Sequence, residues 1–267
     1  MTIRLLVCDV DGTLVDKRKQ LTPATIAAVA RLHDAEMGFT IISARPRSGM
    51  LPIAAALGID APMAAFNGGI VFCRDGSVAS HVTIDEGVAR GMFDLIGDAA
   101  VDRWVFADDL WYASTDQGAH VDSERIASDQ APIVTSDFAS LLDRADKITL
   151  VSDDAALLAG LTDRAAAAFG EQATVAQSQT YYLDVTALAA NKGDGVAALA
   201  AAFDVPLQQV AAIGDQANDL PMLARVGLSV AMGNGPEAVR HAAQHVTLAN
   251  DQDGVAHAID TLIAPRF

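Results

Sequence analysis

The chain has 267 residues, 51% of them hydrophobic, which is enough apolar material for one large core or two moderate ones and excludes a disordered chain. Acidic residues number 34 against 18 basic ones, a net charge of -16; such a surface repels polyanions, so nucleic acid is not an expected partner. No apolar run approaches the roughly 20 residues of a membrane span, and the opening MTIRLLVCDV has no signal-peptide cleavage region, so a soluble, cytoplasmic protein with no membrane partner is expected.

The first elements alternate. IRLLVCD reads as a buried strand, and Thr22 to about Met37 as a helix with Thr22 as N-cap, Pro23 at the first helical position and Gly38 just past its end. Its apolar positions Ile26, Val29 and Ala30 share a face, and FTIIS follows as a second strand. This alternation predicts a parallel sheet wrapped by helices. Cys8 and Cys73 form no spaced framework, which fits a reducing compartment and small core residues rather than a thiolate zinc site.

After AAFNGGIVF the pattern becomes more alternating and aromatic. RWVFADDLWYAST reads as a hairpin turning at Asp108 and Asp109, followed by a helical run over Asp153–Phe169 and short strands ATVAQ and TYYLDV. Beyond Asn191 the buried alternation resumes with GVAALAAAF, VAAIGD and GLSVAM. The expected organisation is an α/β, doubly wound parallel-sheet core built from 1–82 and 186–267, interrupted by an inserted α/β cap at 83–185.

LLVCDVDGT, TIISAR and VAAIGDQAND share one geometry: an apolar strand whose last residues are polar. Ligands of open parallel sheets bind beyond the carboxyl ends of the strands, so Asp9, Asp11, Ser43, Asp215, Asn218 and Asp219 should meet in one crevice. Four carboxylates there repel one another unless a cation lies between them, and an oxygen-only donor set suits Mg²⁺. Lys192 stands near a helix start, where its charge opposes the helix dipole, so an anion is expected beside it. The alternative is a solvated lysine behind the N-cap Asn191.

DVDGT, the serine of ISAR, the lysine of NKG and GDQAND, in that order, resemble the four motifs of the haloacid dehalogenase superfamily, and more narrowly its Cof-like phosphatases with a large inserted cap. A segment like FNGG, with Asn67, commonly precedes that cap, which marks Asn67 as a possible substrate contact. The resemblance implies hydrolysis of a small phosphorylated metabolite, a sugar or cofactor phosphate, with Mg²⁺. It implies Asp9 as nucleophile, and Asp11 as acid and base whose backbone carbonyl joins the metal. Asp215 completes the metal site with Asp9; Ser43, Ala44, Lys192 and Asn218 hold phosphate, and Asp219 orients these groups from behind.

A protonated Asp11 beside Mg²⁺ and Lys192 is in tension with both cations, which lower its pKa. Where the family often has Thr-Gly-Arg this chain has Ser43-Ala44-Arg45: the hydroxyl is kept, but glycine's access to positive φ is lost at Ala44. Arg45 reads equally as a substrate contact or as an exposed salt-bridge former. Trp104, Trp111, Tyr112 and His120 could line the cap's substrate face or pack the hairpin. A phosphomutase or phosphotransferase shares the aspartyl phosphate and stays open, as does a non-catalytic phosphometabolite binder. Carbon–halogen hydrolysis needs no Asp11. The oligomeric state is open.

Overall fold

A computed structural model describes residues 2–266 of the chain. In chain order its first half runs β1 (Leu5–Cys8), α1 (Pro23–Asp34), β2 (Gly38–Ile41), α2 (Arg47–Leu57), β3 (Met63–Ala65), β4 (Ile70–Phe72), β5 (Val78–His81) and α3 (Glu86–Ile96). There follow β6 (Asp102–Ala107), β7 (Leu110–Ala113), α4 (Val121–Ser128), β8 (Ile133–Val134), β9 (Ala145–Val151), α5 (Ala155–Phe169), β10 (Ala173–Gln179) and β11 (Tyr182–Ala187). The last part runs α6 (Lys192–Ala202), β12 (Val210–Gly214), α7 (Leu220–Leu223), β13 (Leu228–Ala231), α8 (Glu237–Ala242), β14 (His245–Val246) and α9 (Gly254–Ala258).

The core is a parallel sheet of order β14-β13-β12-β1-β2. Its central strands are almost wholly apolar, with β1 LLVC and β12 VAAIG buried throughout, because helices cover both faces. Leu6 and Cys8 of β1 pack into one apolar cluster with Val29 and Leu32 of α1, whereas Leu5 and Val7 pack into another with Val196 and Leu199 of α6. The α/β core with a cap expected from sequence is what the chain forms. The cap is a mixed but mainly antiparallel sheet of order β10-β11-β9-β6-β7-β8. Here the period is two: Ile148 and Leu150 of β9 pack with Leu158 and Leu161 of α5 in the cap's apolar cluster. Their neighbours Lys147 and Thr149 therefore point to the opposite face, which turns toward the core.

Several local readings need correction. Helix α1 ends at Asp34, not near Met37: Glu36 takes a left-handed φ of 57° and the Met37 N–H bonds back to the Leu32 carbonyl at 2.9 Å. Gly38 consequently starts β2 instead of capping the helix. The buried face of α1 is Thr25, Ala28, Val29 and Leu32, with Ile26 and Ala30 outside. Asp154 caps α5, which starts at Ala155. Tyr181 belongs to the turn between β10 and β11 rather than to a strand. The three-stranded antiparallel sheet β3-β4-β5 was not anticipated. Cys8 is buried, but Cys73 is only half-buried. The hairpin turn at Asp108 and Asp109 forms as expected, with both residues at positive φ.

Candidate active site

The chain leaves β1 through a tight turn in which the N–H groups of Thr13, Leu14 and Val15 all point at the Val10 carbonyl. Gly12 makes this possible at φ 81°, and a Cβ there would collide with the Asp215 carboxylate. The turn leaves Asp9, 4% exposed, at the carboxyl end of the sheet. Lys192, the first residue of α6, extends to Asp9 Oδ1 and donates to Asp219 Oδ1 at 2.6 Å. Burial opposes its charge, but Asp219 and Asp9 hold the ammonium protonated, above its ordinary range. Lys192 is thus no solvated lysine: its anionic partners lie at the strand ends.

Asp219 is fully engaged. Its Oδ2 accepts the backbone N–H groups of Asp215 and Gln216, each at 2.8 Å, while Oδ1 takes Lys192. It fixes both the lysine and the loop that carries Asp215. Asp215 itself receives only neutral donors: Thr13 Oγ1 at 3.2 Å, and the side-chain amides of Gln216 and Asn234 at 3.3 Å. Burial, then Asp9 and Asp219, push its carboxyl upward, because no cationic side chain pairs with it among the described residues. Carboxylate oxygens of Asp9, Asp215 and Asp219 lie within 4.8 Å of one another. A hard divalent cation at Asp9 and Asp215 fits this donor set and removes the repulsion.

The Asp11 carboxylate is not part of this cluster and is held by other partners. Arg45 grips it through Nε at 2.6 Å and Nη2 at 2.8 Å, and Lys19 adds a bond at 2.5 Å. Burial alone would raise its pKa, but Arg45 and then Lys19 hold it well below the usual carboxylate range. Arg45 is only 5% exposed, so the exposed salt-bridge reading is wrong; its remaining nitrogen donates to the Gly49 carbonyl at 3.1 Å.

Ser43 is buried, and its Oγ accepts the Arg45 N–H at 3.2 Å. Ala44 is not among the residues at positive φ, so the missing glycine costs the loop nothing. Asn67 does adopt φ 58°, held by its N–H on the Ser43 carbonyl at 2.7 Å, and it accepts from the Asn218 amide at 3.2 Å. The Asn218 oxygen is buried without a partner.

Asp9, Asp11, Ser43, Ala44, Arg45, Asp215 and Asn218 line one crevice of about 60 Å³, roofed by the cap residues Ser123, Glu124, Lys147, Gln179, Tyr181 and Tyr182. Core and cap residues thus face each other across one narrow crevice. Trp104, Trp111, Tyr112 and His120 are absent from the lining. The two tryptophans are buried and meet edge to face at 5.0 Å, and His120 lies behind Tyr181, stacked at 3.8 Å. The roof residues were missed in the sequence. The signal was available in ADKITLV, where a lysine alternates with apolar residues in an otherwise buried strand, in a chain with only four lysines.

Residues 6–259 match the model of the haloacid dehalogenase-like hydrolase family. The chain belongs to that family. It is 26% identical over 265 residues to the chloroplastic endoribonuclease YBEY of Arabidopsis thaliana, covering 95% of this chain but only 45% of that protein. It is 28% identical over 244 residues to HMP-PP phosphatase of Citrobacter koseri, covering 86% of this chain and 84% of that one. A solved haloacid dehalogenase-like hydrolase from Bacteroides thetaiotaomicron matches with a TM-score of 0.85 at 25% identity, covering 97% of this chain and 98% of that one. This family member is an enzyme of the phosphatase type.

Proposed function

We propose that the chain is a Mg²⁺-dependent phosphomonoester hydrolase acting on small phosphorylated metabolites, with Asp9 as nucleophile. The observation that carries this reading is the buried Asp9 carboxylate, fixed by Lys192 on one oxygen and close to Asp215 in a crevice roofed by cap residues.

Asp9 attacks phosphorus in line as the bond to the leaving oxygen breaks, giving an aspartyl phosphate. Lys192, Ser43 and Asn218 orient the phosphoryl oxygens and offset their charge. The Asn218 amide is set for this by its contact with Asn67. Asp11 takes the proton of the water that releases phosphate, a base role for which Arg45 and Lys19 hold it ionised. For it to protonate the leaving oxygen first, one of those cations must let go. Asp9, Asp215 and the Asp11 backbone would hold Mg²⁺, which when bound supplies charge neutralisation at the phosphoryl group.

The relative that is an HMP-PP phosphatase supports a small-metabolite substrate. The acidic surface argues against nucleic acid, and no helix among the described residues is long and apolar enough to cross a membrane; a cytoplasmic location accords with both. A division into core 1–82 and 186–267 around a cap at 83–185 is supported by the backbone pairing. The Val82 N–H bonds to Gly69, whereas the Ile84 N–H bonds to Ala145 at the start of β9.

The test is phosphate release from a panel of sugar, nucleotide and cofactor phosphates, with Mg²⁺ or chelator, against Asp9→Asn. Metal-dependent release that the variant lacks is expected; release equal in both proteins would overturn the proposal.

A further inference from the structure

We infer that Lys147, Glu124 and Tyr182 form a leaving-group subsite on the core-facing side of the cap, and that it selects an uncharged leaving group with adjacent hydroxyls. This rests on the phosphatase reading above and specifies what that site accepts.

Lys147 is 5% exposed, yet it donates only to the Ala44 carbonyl, at 3.2 Å, with the Phe106 ring centroid 4.5 Å away. An ammonium has three donors, and no carboxylate forms an ion pair with this one among the described residues. Glu124, on α4, is 6% exposed and lines the same crevice, and its carboxylate receives no hydrogen bond from a described residue. The Tyr182 hydroxyl is buried and unpartnered in the same wall. Behind them Asp184 is tied to Thr149 through one oxygen at 2.7 Å, and its other oxygen is buried without a partner.

Buried polar groups are ordinarily satisfied. A cationic donor with bonding capacity to spare, a carboxyl group and a phenol that line one small cavity are built for something that both donates and accepts. A hydroxyl does both, and two adjacent hydroxyls can accept from Lys147 and Tyr182 while donating to Glu124. Any charged leaving group meets a like charge here, which favours a neutral one. A carboxylate or second phosphate would meet Glu124 with Asp184 behind it, and an amine would meet Lys147.

The strands dictate this grouping. Lys147 and Thr149 alternate with Ile148 and Leu150, and Thr149 pairs with Asp184 across β9 and β11, so one face is polar and the other is packed against helices.

Hydrolysis of a hexose phosphate, phenyl phosphate and phosphoglycolate by the full chain tests this. The wild type should prefer the hexose phosphate in kcat/KM by at least about tenfold, with phosphoglycolate poorest. Lys147→Met and Glu124→Ala should each cut the hexose-to-phenyl ratio on the order of 30-fold, chiefly through KM. The double variant should lose less than the product of the two, because both groups hold one ligand. Equal ratios in wild type and variants, or a wild-type preference for phosphoglycolate, would overturn the subsite. The wild-type ranking decides even where a variant does not fold. Failure of the wild type to hydrolyse any of the three esters above the Asp9→Asn background would overturn the phosphatase reading itself, and the subsite with it.

Discussion

Arg45 holds Asp11 in a two-point grip, Nε to Oδ2 at 2.6 Å and Nη2 to Oδ1 at 2.8 Å, in a part of the crevice where the guanidinium is almost fully buried. Bidentate pairs of this kind are geometrically specific as well as strong. The grip, aided by Lys19, keeps Asp11 ionised and aims it away from the Asp9–Asp215 cluster. The proton chemistry of the site is therefore set by Arg45, two places beyond Ser43, and by Lys19, eight places beyond Asp11, rather than by Asp11 alone.

Arg45→Met should release Asp11 toward the ordinary carboxylate range. Because the guanidinium depresses the pKa, the acidic limb of the kcat/KM profile should move to higher pH, by about one unit or more, with kcat lowered roughly 10–100-fold. A pH–rate profile in which that limb stays put would show that Asp11 is not the group being titrated.

Asp219→Ala removes the acceptor of Lys192 and of two backbone N–H groups at once. Breaking a buried pair in this way costs about 3–5 kcal/mol, so urea unfolding should show a loss of that order together with a collapse of activity. A loss below about 1 kcal/mol would mean that water replaces Asp219 without difficulty.

Gly12→Ala places a Cβ against the Asp215 carboxylate and strains a residue at φ 81°. The Mg²⁺ concentration giving half-maximal phosphate release should rise at least about tenfold. An unchanged metal titration would place the cation away from Asp215.

Burial pushes the Glu124 carboxyl from an ordinary 4.5 up to about 7, with Lys147 opposing. Its folded-state pKa is raised, so its contribution to stability is fully present below the unfolded value and is lost as pH rises through the folded one. Glu124→Gln has no ionisation to resist. Relative to wild type, its stability should improve between about pH 4.5 and 8, by up to roughly 3 kcal/mol, as read by urea unfolding at each pH. A constant difference across that range would mean that Glu124 stays ionised when buried.

The core was legible because its signals are local. A buried strand ending in Asp-x-Asp-Gly-Thr, a capped helix and a second strand follow from composition and spacing, and Lys192 against a helix dipole pointed correctly to an anion. The cap was legible as a change of period but not as a surface, because which of its two faces meets the core depends on long-range strand pairing. Lys147 and Tyr182 are joined only by that pairing, and Glu124 comes from helix α4, so no local window contains them. Of the two readings of Trp104 and Trp111, hairpin packing holds, because their bulk sends them into the packed interior. The burial of Arg45 was not legible because its partner, Asp11, lies on another strand end.

The central claim is that Asp9 carries the phosphoryl group. Acid quenching of the enzyme during turnover of a good substrate, followed by intact-mass and peptide analysis, tests it directly. The expected result is an acid-stable adduct of one phosphoryl group on the peptide containing Asp9, absent in Asp9→Asn. Turnover with no adduct on that peptide, and with Asp9→Asn still active, would contradict it.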